Sequence, residues 1–395
     1  MELIVALHEL ARPGGPQTYA LTVAEQLARL GHGVTLYARE LGPMAGLARE
    51  RGLAVTARSD ELPERADGVL VGVDRSLAFA LAERYPDAAR VYVVHTVDDI
   101  HLPPPVDGVV AATVVLNDRF AARAAASVGA GEVVRLRQPV DMRRFSVRSP
   151  PAERPERVLL LGDYHGDLGS RAEILKEAWS GAGLEWVQVG APEPQLDIAP
   201  AMYDVDVVVG HGRSIVEAMA SGRPAYVLDD AGADGWVTPE SYKRIESGGF
   251  SGMAGEAPLD AQRRREDLDA YRPELGRLGY DLARAHHDAR PHAAALVALI
   301  EQISPEAPPL EHDALTALMR LSEAQLRAEI ARGDNREEAK QWHQRAQALN
   351  EQLVLTTAEA AEATRRLEAI KATRRYRVAQ AMGRVAETLR GAGRR

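Results

Sequence analysis

Short apolar runs alternate with amphipathic segments through the first three-quarters of the chain. LIVAL at 3–7 has the length and continuity of a strand buried on both faces. QTYALTVAEQLARLG (17–31) then repeats apolar residues at helical spacing and stops at Gly31. GVTLYA (33–38), GVLVGV (68–73), RVYVVH (90–95) and VVAATVVLN (109–117) extend the series of strands. Strands separated by helices pair in parallel through right-handed crossovers, which predicts a doubly wound sheet. RFSVRSPPAERPE (144–156) interrupts the pattern with proline, serine and charge and reads as a linker. A second series follows: RVLLLG (157–162), the helix SRAEILKEAWSGAG, WVQVG (186–190), VDVVVG (205–210), a helix over 214–221 and PAYVLD (224–229). The long helical segment HHDARPHAAALVALIEQI is expected to close this second half near Ile303. The predicted fold class is α/β, with two doubly wound, Rossmann-like domains at 1–148 and 149–304.

Residues 305–395 read differently. SPEAPPLEHD (304–313) is a second linker, and past it the composition turns to Ala, Glu, Arg, Gln and Leu, as in long helices. Steps of four and three link Trp342, Ala346, Leu349, Leu353, Thr356, Ala360, Ala363, Leu367 and Ile370 into a thin heptad seam. This predicts a short coiled coil over 342–370, suited to a homodimer. A second stripe, Val378, Met382, Val385 and Leu389, is flanked by Arg374, Arg375, Arg377 and Arg384. Its basic character suits peripheral contact with an anionic membrane surface through 371–395; a solvated helical extension is the alternative.

Charge sharpens that division. The chain carries a formal −9, yet residues 371–395 alone carry +7, leaving −16 for the rest. An acidic body argues against general nucleic-acid binding. The 46% hydrophobic and 27% charged content is that of a globular protein, and no apolar run is long enough to span a bilayer. MELIVALHEL lacks the basic start and cleavage site of a secretory signal, so a cytoplasmic protein is expected, with the basic end on the inner face of the membrane. With no cysteine there is no disulfide, thiolate metal site or cysteine nucleophile. HHDARPH (286–292) has His287 and His292 five apart with Pro291 between them, which does not put them on one helical face, so a solvated helix start is expected there and no metal. No dinucleotide glycine fingerprint follows the first strand of either half.

The candidate chemistry lies in VVVGHGRSIVEAMASGRPAYV (207–227). Gly210 and Gly212 allow close backbone approach, and Ser214 is expected to cap the helix that follows. Helix starts offer unpaired N–H groups and the positive end of a dipole, an anion site. Arg213 adds a fork of donors suited to a diphosphate. Glu217, expected in the first turn, either steadies the dipole or accepts hydrogen bonds from ribose hydroxyls. Ligands of doubly wound sheets bind beyond the carboxyl ends of the strands, where this turn would lie.

This segment resembles the nucleotide-binding element of glycosyltransferases of the two-domain GT-B architecture, in particular the retaining family 4 type, whose EAMA-x-G-x-P-V-V motif matches EAMASGRPAYV. RPGGPQTYALTVAEQLARLGHGVTLYA (12–38) is similar to that family's Gly-Gly loop, helix and GH-x-V-T strand, and 114–145 is similar to the segment that ends its first domain. The resemblance spans roughly 1–304. It implies that Glu217 meets the donor ribose, that Gly14 and Gly15 approach the diphosphate or sugar, and that His95 touches the donor sugar or assists catalysis. It further implies a glycosyltransferase of the hexosyl type that uses a nucleotide-diphosphate sugar, a glycan or lipid-linked acceptor, no metal and no cofactor, in glycan, glycolipid or polysaccharide synthesis.

Two positions depart from the family. Val209 stands where a second glutamate contacts the donor sugar, and GDYHGDLGSRAEIL (162–175) has Asp163 in the place of an arginine and no lysine after it. Arg171 and Arg213 are the expected substitutes. Asp234, Gly235 and Trp236, in a glycine-rich loop after the last strand, are candidates to border the donor sugar; His8, Glu9, Asp98 and Asp99 are candidates on the acceptor side. The departures leave two alternatives open: a catalytically degenerate GT-B binding or scaffold protein that works through its coiled coil, and a sugar-nucleotide epimerase.

Overall fold

The computed structural model describes residues 1–98, 101–104, 106–127, 129–162, 166–190, 194–229, 232–254, 261–304, 312–328, 330 and 366. The chain divides into two units, Met1–Arg327 and Ala328–Arg395. Within the second unit only residues 330 and 366 are described, so the heptad seam and the basic stripe lie outside the described residues.

The first unit contains two sheets. Seven parallel strands form the first: β1 (Glu2–Leu10), β2 (Gly33–Leu41), β3 (Ala54–Thr56), β4 (Gly68–Gly72), β5 (Ala89–Val94), β6 (Ala112–Val115) and β7 (Glu132–Arg135). Their order is β3-β2-β1-β4-β5-β6-β7, doubly wound outward from β1. The second sheet has β8 (Arg157–Leu161), β9 (Glu185–Val189), β10 (Val207–Gly210), β11 (Ala225–Asp229) and β12 (Gly232–Trp236), in the order β12-β11-β10-β8-β9. β12 runs antiparallel to β11, so the segment expected to be a glycine-rich loop is an edge strand.

The apolar runs fold as central strands because both sheet faces are covered. In β1, Leu3, Val5 and Leu7 pack against one helical layer, while Ile4 and Ala6 pack against the opposite one. The helix α1 (Gly15–Arg29) covers the first face with Tyr19, Leu21, Val23 and Leu27. On the second sheet, Leu159 and Val208 face one layer and Val158, Leu160, Val207 and Val209 the other. The helix α2 (Arg213–Ala220) buries Ile215, Val216 and Met219 in the former.

Two segments depart from the expected domain division. The last long helix, Ala289–Gln302, does not close the second domain: Ala293, Leu296, Leu299 and Ile300 enter the core around β1 and α1. Residues 312–328 are helical and place Leu315, Leu318 and Met319 on the other face of the first sheet, with Arg39 3.0 Å from Glu323. The first core thus draws on residues that follow the second domain in sequence.

The chain therefore crosses between domains twice, and the crossings are tied together. Val140 N–H donates to the His287 carbonyl at 2.7 Å, and Ala289 N–H to the Val140 carbonyl at 3.0 Å. Beside them His287 Nδ1 is 2.8 Å from the Gln138 carbonyl and Nε2 is 2.9 Å from the Tyr242 hydroxyl. His292 repeats the arrangement, 3.0 Å from the Arg137 carbonyl and 2.9 Å from the Tyr19 hydroxyl. A carbonyl only accepts, so each Nδ1 carries the proton and each Nε2 accepts from a tyrosine. These histidines are buried, not at a solvated helix start. The burial that makes that corner dry comes from both domains at once, which the local pattern around Pro291 does not reveal.

Candidate functional site

A cavity of about 690 Å³ opens between the two domains. The first domain lines it with Glu9, Arg12, Gly14, Gly15, His95 and Asn117, and the second with Gly162, Gln195, Leu196, His211, Gly212, Arg213, Ser214, Glu217 and Glu246. It lies beyond the carboxyl ends of the parallel strands, where such sheets leave room between diverging helices.

The turn from β10 into α2 builds one wall. Gly212 is the residue before the helix and has φ +54° and ψ −125°, a conformation that side chains exclude. Ser214 does not cap the helix: its hydroxyl accepts from His211 N–H at 3.0 Å and donates to the His211 carbonyl at 2.7 Å, closing the turn on itself. The helix start therefore has no side-chain cap. Glu217 is the fifth residue of α2, beyond the first turn, and is almost wholly buried on the cavity wall. The Arg213 Nε–H donates to its Oε1 at 2.8 Å. Burial pushes the Glu217 carboxyl up, and the Arg213 guanidinium opposes that shift. Arg213 is committed beyond this pair. It donates to the Pro139 carbonyl at 3.0 Å and to the Thr22 hydroxyl, on α1, at 2.9 Å. The arginine read as a diphosphate ligand thus joins the second domain to the first.

Opposite, β1 carries Glu9 next to its last residue, and the chain turns through Arg12, Pro13, Gly14 and Gly15 into α1. Gly14 precedes this helix in extended conformation, again with no side-chain cap, and Pro16 fills an early position that needs no N–H. A Cβ at Gly15 would meet no atom within 4 Å. Glu9 Oε1 accepts from Gln17 Nε2 at 3.2 Å. His95, just past β5, is half-buried in the wall with its ring edge-on to Tyr19 at 4.9 Å. Burial, helped by Arg213 and His101, pushes its pKa down to about 3, so the imidazole is neutral near pH 7.

The structure thus brings together Gly14, Gly15, His95, Gly212, Arg213, Ser214 and Glu217. It does not bring Arg171, which lies on the helix Gly166–Ala178 and is not among the lining residues. Nor do Asp234, Gly235 and Trp236 line the cavity. Trp236 belongs to an aromatic core with Trp179, Tyr226 and Tyr271, and its Nε1–H donates to the Asp267 carbonyl at 2.6 Å. Ala233 and Trp236 both enter that core although they are three residues apart, because the pairing of β12 with β11 shifts register between them, so no period-2 alternation marks the tryptophan as inward. Val209 is buried in β10. His8 lies on the far face of the first sheet, 3.2 Å from Asp74, while Glu9 turns toward the cavity. Asp98 is exposed and accepts from Thr96 at 2.8 Å; Asp99 lies outside the described residues. Among the described residues no group of three or more His, Asp or Glu is placed to hold a metal. No helix of the described residues is long and apolar enough to cross a membrane.

Among the arginines and glutamates of the lining, three were not anticipated. Arg12 stands directly before the Gly-Gly turn. Arg144 donates to Asp197 at 2.7 Å and lies 5.2 Å from the Phe145 ring centre. Glu246, buried on a second-domain helix, is held by Arg135 of β7 at 2.8 Å and by Arg137 at 3.3 Å. Only the position of Arg12 beside the Gly-Gly turn was visible locally; the other two are defined by partners distant in sequence.

No protein-family model and no curated protein matches the chain. Among solved structures it is similar to HepE from Anabaena, determined in complex with UDP and glucose, with 12% identity, a TM-score of 0.50, and coverage of 76% of this chain and 99% of that one. It is likewise similar to a glycosyltransferase from Rickettsia africae, with 13% identity, a TM-score of 0.50, and coverage of 76% and 98%. The likeness is one of fold, the two-domain GT-B arrangement.

Proposed function

We propose that the protein is a glycosyltransferase that moves a sugar from a nucleotide-diphosphate donor to an acceptor hydroxyl. The observation that carries this reading is the placement of Glu217: a buried carboxylate, aligned by Arg213, on the wall of a 690 Å³ cavity between two doubly wound domains. A carboxylate fixed by one oxygen keeps acceptor capacity for a pair of vicinal hydroxyls, as a ribose presents them. Support comes also from the shared fold, one example of which was solved with UDP and glucose.

In this reading the nucleoside lies along the second domain, between Glu217 and the segment Pro194–Ile198. The leaving diphosphate faces the two uncapped helix starts, whose N–H groups favour the charge that develops as the anomeric bond breaks. His95, held neutral, serves the sugar as a hydrogen-bonding wall and carries no charge to the oxocarbenium-like centre. The cavity walls exclude water that would otherwise consume the donor. Retention of configuration, independence of metal, and an acceptor that is a glycan or lipid-linked sugar belong to the same proposal. So do a dimer formed through 342–370 and membrane contact through 371–395.

The test pairs Glu217→Gln with the unaltered protein in a coupled assay of nucleoside diphosphate release, run over UDP-, GDP-, ADP- and dTDP-linked sugars. Acceptor-dependent release is expected from one donor, with the variant at least tenfold weaker in kcat/KM. No binding of any donor would sink the proposal. The commitment of Arg213 favours one second reading, a nucleotide-binding protein that transfers nothing; it would bind a donor without turnover.

A further inference from the structure

The cavity poses a charge problem. Its lining carries three carboxylates, Glu9, Glu217 and Glu246, against three guanidinium groups, Arg12, Arg144 and Arg213. A diphosphate would add further negative charge, so its affinity depends on which cations are not already engaged. Arg213 is bound to Glu217, Pro139 and Thr22. Arg144 is bound to Asp197 and packed beside the Phe145 ring. The His211 ring faces Asp229 at 3.7 Å. Arg12 alone of the three guanidinium groups makes no hydrogen bond or ion pair among the described residues; it is exposed at the cavity mouth, two residues before Gly14 and the uncapped start of α1.

We infer that Arg12 is the residue that grips the donor diphosphate, reaching it from the first domain in place of a cation on the second. This rests on the nucleotide-donor reading given above. The division of labour is chemical. Glu217, on the second domain, meets hydroxyls, whereas Arg12, on the first, meets phosphate oxygens in the bidentate geometry that guanidinium favours. A nucleoside would engage the second domain, while a nucleoside diphosphate would join both. Arg12 then acts on affinity for the pyrophosphate and on the charge of the leaving group, and has no part in recognising the base or ribose.

Calorimetry separates these roles. The full chain and its Arg12→Ala and Arg12→Lys variants are titrated with UDP, GDP, ADP and dTDP, and with the four matching nucleosides. For the diphosphate that the unaltered protein binds, Arg12→Ala is expected to weaken binding tenfold or more, Arg12→Lys to recover part of it, and the difference to shrink as salt rises. Affinity for the matching nucleoside should stay within about twofold. Unchanged diphosphate affinity in Arg12→Ala, or an equal loss for the nucleoside, overturns the inference and leaves the transferase reading standing. If the unaltered protein binds none of the four diphosphates, both fall together.

Discussion

The turn before α1 and the turn before α2 are alike on paper. Each follows a buried strand, contains glycine within two residues of an arginine, and opens an uncapped helix onto the same cavity. Their arginines behave in opposite ways. Arg213 is 9% exposed and bound on three sides, partly by the other domain, whereas Arg12 is exposed and without a protein partner among the described residues. Their glycines differ too. Gly212 is needed for a backbone conformation, while Gly15 has ordinary helical geometry and open space where a side chain would be. The lesson is that a glycine–arginine turn at a helix start marks a place, not a role. The role follows from which acceptors lie within reach once the domains are assembled.

Acid should dissolve the frame that sets the two turns face to face, and this is the largest effect expected. Burial holds His287 and His292 at about 4, below the 6.5 of an unfolded chain. As pH falls below 6.5 the unfolded chain therefore takes up protons that the folded one refuses. Stability is lost between pH 6.5 and 4, on the order of 3 kcal/mol per histidine at the lower end, and is insensitive to these groups above pH 7. His95, at about 3, adds in the same direction. Thermal melts across this range should show the slope, and a His287→Gln/His292→Gln variant should flatten it; an unchanged slope would remove the histidines from the account.

Next in size, Arg213→Ala should lower stability by about 3–5 kcal/mol, because it leaves Glu217 buried without its partner. Denaturant titration checks this, and a loss below 1 kcal/mol would erase the contrast with Arg12. Gly212→Ala should cost about 1–3 kcal/mol for its positive φ, while Gly15→Ala should be near neutral in folding. The smallest effect is the most discriminating: Arg12→Ala should leave the melting curve within about 0.5 kcal/mol of the unaltered protein.

Most of the strands were legible because continuous apolar runs such as LIVAL and VDVVVG have few alternatives in a chain with helical segments between them. β3, β7 and β12 are short or glycine-rich and carry little such signal. Glu217, His95 and the two glycine turns were legible for a different reason: they lie at strand ends, where sheet topology alone places the cavity. What stayed hidden was long-range. The partners of Arg213 lie at Thr22 and Pro139, those of Glu246 at Arg135 and Arg137, and the burial of Trp236 depends on Trp179 and Tyr271. A pattern read along one segment holds no information about acceptors that arrive from a hundred residues away.

The return of Ala289–Gln302 to the first core has a consequence for how the chain is made. During synthesis the first sheet emerges from the ribosome long before Leu296 and Ile300 exist to cover it. Until then, part of the apolar face of β1 and α1 must wait uncovered while the whole second domain is translated. The nascent protein therefore passes through a stage in which its later half is able to fold before its earlier half is finished, and it is there that a chaperone would find most to hold.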